Sequence, residues 1–113
     1  IHPILHATEI RSVAADDLWL SANYQRPTIG IHFTWHKTNA VFDVLPAIDE
    51  LLAPLGARPH WGKVTTFTPA MVVRGYPRFL QFAERVRTLD PDGKFGNEMT
   101  DALMAAAAQI GPA

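Results

Sequence analysis

The sequence predicts an α+β fold. Two stretches of alternating residues stand near its start, segments with helical spacing fill the remainder, and the two kinds of element do not interleave. Residues 4–14 read as the first strand, in which Leu5, Ala7, Glu9, Arg11 and Val13 alternate with His6, Thr8, Ile10 and Ser12. The first set mixes apolar residues with a carboxylate and a guanidinium two positions apart. Asp16-Asp17 then opens a short helical turn through Leu18, Trp19 and Leu20. Asn23 to Pro27 reads as a loop, because Pro27 fixes its own φ and moves Arg26 out of the helical region.

Residues 28–36 form the second strand, with Ile29, Ile31, Phe33 and Trp35 on one face and Gly30, His32, Thr34 and His36 on the other. A helix follows from Asn39, a good cap residue, to Leu55, with Gly56 closing it. Its apolar stripe is Val44, Leu45, Ile48, Leu51, Leu52 and Leu55, and Pro46 is expected to kink or restart it. Residues 57–68 carry loop signals, with room for a short strand over Lys63 to Phe67. Helices start at Thr68-Pro69 and Tyr76-Pro77. The second has Phe79, Phe82, Val86 and Leu89 on an apolar face and Arg78, Glu84, Arg85 and Arg87 on a solvated one. Asp90-Pro91-Asp92-Gly93 ends it as a turn, and an Ala-rich helix runs from Asn97 to Ala108.

Composition bounds the function. A chain of 113 residues allows one compact domain, and 48% hydrophobic against 19% charged residues is enough to fold it. Ten Lys plus Arg against 11 Asp plus Glu leave a net charge of -1, which argues against nucleic acid as a partner and against a polybasic membrane anchor. There is no cysteine, which removes disulfides, Cys-based zinc sites, iron–sulfur clusters and thiol nucleophiles together. No apolar run reaches the roughly 20 residues of a spanning helix. The opening Ile1-His2-Pro3-Ile4 has neither an initiator Met nor the features of a signal peptide. The chain is therefore expected to be the tail of something longer, in the cytoplasm.

Three constellations could carry chemistry. Glu9 and Arg11 project from one strand face, roughly 7 Å apart at Cα. Their ordinary role is an exposed pair, and their alternative role is to aim both groups at a polar ligand. His32 and Thr34 repeat the spacing on the second strand. If the strands are neighbours, one face presents Glu9, Arg11, His32 and Thr34, which could orient a polyhydroxy substrate or could simply be a wet sheet face. His32 and His36 stand roughly 13 Å apart on a strand, so no metal site is expected from them. The third constellation is Arg58-Pro59-His60-Trp61-Gly62-Lys63, where Gly62 allows close backbone approach and Lys63 adds a compact charge. Trp61 could equally anchor this loop to the core. The chain has no phosphate loop, nucleophile elbow or dinucleotide fingerprint.

Several stretches occur in a telling order: Glu9-Ile10-Arg11, His32-Phe33-Thr34-Trp35, Arg58 to Lys63, Tyr76-Pro77-Arg78-Phe79, and Leu89-Asp90-Pro91-Asp92-Gly93-Lys94-Phe95-Gly96-Asn97. Together they resemble the C-terminal end of the sugar-acid lactone and alditol oxidases, flavoproteins of the vanillyl-alcohol oxidase superfamily. His-Trp-Gly-Lys and the Leu-Asp-Pro-x-Gly-x-Phe-x-Asn turn are the specific pieces, and the resemblance spans nearly the whole chain. The stretch from Glu9 to Trp19 is most similar to the alditol (xylitol) oxidase branch.

The resemblance implies FAD, bound mainly by an N-terminal domain that this sequence does not contain and usually tethered there through a histidine. It implies that this chain supplies part of an antiparallel cap-domain sheet with its flanking helix, and the C-terminal helices that return to the flavin domain. Glu9, Arg11, Thr34 and Lys63 take the positions that contact polyol hydroxyls, with His32 beside them. Arg11, Lys63 and Trp61 are implied by the same resemblance to lie near the cofactor. Arg11 and Lys63 are implied to stabilise negative charge growing on the flavin, and His32 is the candidate acceptor for the alcohol proton. The implied partners are a small polyol, O2 and the upstream FAD-binding domain, and the implied product is hydrogen peroxide. Two alternatives stand beside this reading: an aldonolactone oxidase, and a non-catalytic α+β module that kept the motifs for packing. The chain by itself is expected to be inactive.

Overall fold

The computed structural model describes residues 1–111. Chain length leads to a single compact domain, yet the contacts divide the chain into two compact units, one spanning Ile1–Thr66 and the other starting at Phe67. Both strands belong to the first unit and three of the four helices to the second, which is the α+β segregation expected from the order of elements.

In the first unit a 3₁₀ turn at His2–Ile4 leads into β1 (Leu5–Val13), which pairs antiparallel with β2 (Thr28–Trp35) in a two-stranded sheet. Both strands end within one residue of the bounds set by alternation. The register sets Glu9 opposite His32, Ile10 opposite Ile31 and Arg11 opposite Gly30. It shifts between Leu5 and Ala7, where Leu5 faces Trp35 but Ala7 faces Thr34, so His6 is the extra residue of a bulge.

The connection between the strands makes a single hydrogen-bonded turn over Leu18 to Ser21, with the Ser21 N–H donating to the Leu18 carbonyl at 2.9 Å, and no helix grows from it. The Asp16 carboxylate instead accepts from the Leu18 N–H at 3.0 Å and from the Ser21 hydroxyl at 2.5 Å. Its backbone bonds to Asn23 (3.2 Å) and Gln25 (2.7 Å), forming a bridge with Tyr24. An aspartate that offers its side chain to nearby N–H groups competes with helix formation, and here it wins.

Helix α1 (Ala40–Leu52) continues as a 3₁₀ turn over Ala53–Leu55 and ends at Gly56. Gly56 has φ of +70°, and a Cβ there would stand 3.1 Å from the Arg26 guanidinium, which itself donates to the Gly56 carbonyl at 2.5 Å. The positive φ is what favours glycine at this helix end. The helix does not restart at Pro46. Pro46 removes one N–H donor from the helix interior, and Val41 and Leu45, both on the turns before it, are the buried residues of α1. Leu51 and Leu55, placed on the apolar stripe by spacing, are exposed.

No strand forms over residues 63–67. Asp49 of α1 holds this segment instead: its carboxylate accepts from the Thr66 N–H at 2.6 Å, a donor a strand would use, and from the Thr65 and Thr66 hydroxyls at 2.8 and 2.9 Å. Asp49→Ala is expected to lower stability by about 1–3 kcal/mol, because hydrogen bonds to a charged acceptor are lost together. Urea unfolding of the variant beside Glu50→Ala, an exposed neighbour, checks this.

The second unit contains α2 (Pro69–Gly75), α3 (Phe79–Leu89) and α4 (Glu98–Ile110), with α4 packed on both others. Thr68 caps α2 by accepting from the Met71 N–H at 3.3 Å. After α3, the Asp90 carboxylate accepts from the Lys94 and Phe95 N–H groups at 2.8 and 3.0 Å, which fixes the turn read from Asp-Pro-Asp-Gly. Asn97 and Thr100 form a reciprocal capping box at the start of α4. Val73, Phe79, Ala83, Leu103, Ala106 and Ala107 are buried. Among the described residues no helix is long and apolar enough to cross a membrane.

Candidate active site

The antiparallel register brings the polar residues of the two strands onto one sheet face. Glu9 and His32 are directly cross-strand, Arg11 lies two residues along opposite Gly30, and Thr34 sits opposite Ala7. The Glu9 carboxylate is the hub: its Oε2 accepts from the Arg11 guanidinium at 2.5 Å and faces the His32 Nδ1 at 3.5 Å. The Arg11 and Glu9 side chains are 70% and 49% exposed, so the pair contributes only about 0–1 kcal/mol to folding.

Gly30 is the residue that sequence reading passes over. A glycine among β-branched residues weakens a strand, and its usual reason is close approach of something else. Here it leaves the sheet face empty beside Arg11, and a Cβ would meet nothing nearer than the Arg11 carbonyl at 3.9 Å. The guanidinium therefore has lateral room, and only one of its nitrogens is engaged by Glu9.

The loop carrying Trp61 and Lys63 is pinned to the connection between the strands. The Trp61 indole N–H donates to the Leu20 carbonyl at 2.9 Å, and Arg58 donates to the carbonyls of Ser21 and Ala22 at 3.3 and 3.1 Å. His60 Nδ1 accepts from the Gly62 N–H at 3.0 Å, and the Lys63 N–H returns to the His60 carbonyl at 3.0 Å, which closes a tight turn. Trp61 thus anchors the loop, and Lys63 stands exposed at its end. The structure joins Glu9, Arg11 and His32, and among the described residues the Lys63 ammonium makes no ion pair. Asp16, Arg26 and Asp49, which hold these segments, carried no motif; the partners of Arg26 and Asp49 lie 30 and 16–17 residues away, while those of Asp16 are local.

The sequence over residues 3–103 matches the family described as D-arabinono-1,4-lactone oxidase. The chain belongs to this family. It is 44% identical over 105 residues to an alditol oxidase of Streptomyces sp. (strain IKD472 / FERM P-14339), covering 92% of this chain and 25% of that protein. It is 35% identical over 102 residues to an L-gulono-1,4-lactone dehydrogenase of Mycobacterium tuberculosis, covering 90% and 24%. An L-gulonolactone oxidase of Mus musculus is 30% identical over 102 residues, covering 87% and 23%. The chain spans about a quarter of the length of these relatives. In this member of the lactone oxidase family, the stretches that prompted the resemblance fall on β1, β2, the pinned loop, the start of α3 and the turn before α4.

Proposed function

We propose that this chain is the substrate-binding C-terminal portion of a longer FAD-dependent oxidase that oxidises the terminal alcohol of alditols such as xylitol or sorbitol and passes the electrons to O2, giving hydrogen peroxide. The observation that carries the reading is the Glu9–Arg11–His32 cluster on one open sheet face, in a chain whose similarity to an alditol oxidase covers 92% of its length. Alternating donors and acceptors of this kind suit a ligand in which every hydroxyl both donates and accepts.

The donor set also suits a flavin. Arg11 is largely exposed with nitrogens to spare, and Lys63 presents an exposed ammonium, so both can face an anionic ring edge. When bound, the flavin supplies the hydride acceptor of the reaction. Glu9 accepts from a substrate hydroxyl and holds the guanidinium in place. Arg11 and Lys63 set positive charge where negative charge develops. With Nδ1 facing Glu9, His32 leaves Nε2 to take the proton of the reacting alcohol. Thr34 adds a hydroxyl further along the same face, and Trp61 holds the loop that bears Lys63.

A second reading, an aldonolactone oxidase, is favoured by the family match and by the gulonolactone-named relatives. Peroxide release by the full-length protein separates the two. The alditol reading expects turnover of xylitol or sorbitol to exceed that of L-gulono- and D-arabinono-1,4-lactone by about tenfold or more in kcat/KM, equivalent to about 1.4 kcal/mol of transition-state discrimination. The reverse preference would assign the lactone.

A further inference from the structure

We propose that His6 and His36 form a two-imidazole site for one divalent transition-metal ion of the zinc class. The two residues lie thirty positions apart in the sequence and belong to no motif. The bulge in β1 brings them together. From Val13 opposite Thr28 to Ala7 opposite Thr34 the ladder is regular, and extending it would set His6 against Trp35. Leu5 takes that place instead, and the His36 N–H donates to the Ile4 carbonyl at 2.9 Å. His6 is left without a cross-strand partner, and a bulge residue of this kind has its side chain re-aimed out of strict alternation. The outcome is that the two rings meet, 5.1 Å between centroids with their planes at 77°.

That spacing is the one a metal asks for. A tetrahedral zinc ion with ring nitrogens about 2.0–2.1 Å away holds the centroids of two ligating imidazoles about 5 Å apart. Rotation about the terminal side-chain torsions, broad for histidine, then suffices to aim one nitrogen of each ring at a common point. Both residues are exposed, so an ion reaches them with part of its water shell retained. Imidazole selects zinc, nickel and copper over the hard cations, which prefer oxygen. Among the described residues no third His, Asp or Glu completes the set, so water fills the remaining positions and the site is open and readily exchanging. Bound metal would clasp the start of β1 to the residue that follows β2, at the end of the ribbon where the regular ladder breaks. Because binding needs the folded register, it stabilises the ribbon by linkage.

The test is a titration of the 113-residue chain with Zn2+ alone in a non-coordinating buffer, followed through the ring nitrogens of its histidines by NMR. The expected result is one equivalent bound, with the nitrogens of His6 and His36 shifted and those of His32 and His60 unmoved. In calorimetry, His6→Ala and His36→Ala should each weaken Zn2+ binding by at least about tenfold, as expected when a ligand is removed, while His60→Ala leaves it unchanged. Saturable binding absent below about 1 mM, shifts centred on His32 or His60, or equal affinity in the His6 and His36 variants would each overturn the proposal. The NMR readout uses the unsubstituted chain, so the result stands even where a variant folds poorly.

Discussion

Arg11→Ala in the full-length oxidase is expected to lower kcat/KM for its polyol by about 10²–10³-fold, the loss typical of removing one group aimed at developing charge. The same loss is expected for Lys63→Met, which keeps much of the stem and removes the ammonium. Both should leave folding intact. Arg11 is 70% exposed and its only ion pair among the described residues is with Glu9, itself half exposed, so its contribution to stability is at most about 1 kcal/mol. Lys63 joins no ion pair among the described residues. Steady-state kinetics beside thermal unfolding of each variant makes the measurement. Where charge stabilisation is specific to the transition state, kcat falls along with kcat/KM; where the residues only hold substrate, KM alone rises. Unchanged turnover in both variants would mean that the motifs survive as packing remnants, and the proposed function would fall with them.

The polar face was legible because a strand obeys one rule. Side chains two apart share a face, so Glu9 with Arg11 and His32 with Thr34 could be paired on paper, and antiparallel pairing of neighbouring strands did the remainder. The register was not legible. Nothing in the alternation fixes Glu9 opposite His32 in place of Thr34, and the bulge at His6 has no local signature. Helix starts were readable at Thr68-Pro69 and Asn97 because capping is local chemistry. The failures share one cause. Asp16 confines the segment after it to one turn and Asp49 holds residues 65 and 66 out of a strand, each by spending carboxylate oxygens on backbone N–H and hydroxyl groups. In Asp49's case the donors lie 16 and 17 residues away, outside any window over which propensity is summed.

The apolar face of the ribbon carries the same lesson at the level of packing. Ile10 and Ile31 face each other across the strands, and both are exposed, as is Ile29. Phe33 and Trp35 stack at 5.3 Å and are half-buried on that side. Periodicity tells which residues share a face and is silent on whether that face is covered. In α3 the distinction becomes measurable. Spacing places Phe79, Phe82, Val86 and Leu89 on one stripe, yet Phe79 is 2% exposed and Leu89 is 77% exposed.

Phe79→Ala is therefore expected to cost about 3–5 kcal/mol, the transfer free energy of the ring plus the cavity it leaves. The edge-to-face contact with Phe82, at 5.8 Å between centroids, is lost as well. Leu89→Ala, a change of similar chemistry on the same predicted stripe, should stay within about 0.5 kcal/mol. Against a total stability on the order of 0.05–0.15 kcal/mol per residue, the first change removes a large share of what holds a chain of this size and the second is hardly noticed. Urea unfolding of the two variants side by side reads the difference as a shift in midpoint at constant slope. A changed slope in the Phe79 variant would show that its native or denatured ensemble had altered too, so that the shift in midpoint no longer reports the cavity alone. Equal losses in the two variants would show that the stripe works as a unit, with Leu89 covered in solution despite its exposure here. A small loss at Phe79 would show that the start of α3 collapses around the missing ring, since the spread of such costs reflects how well the site closes.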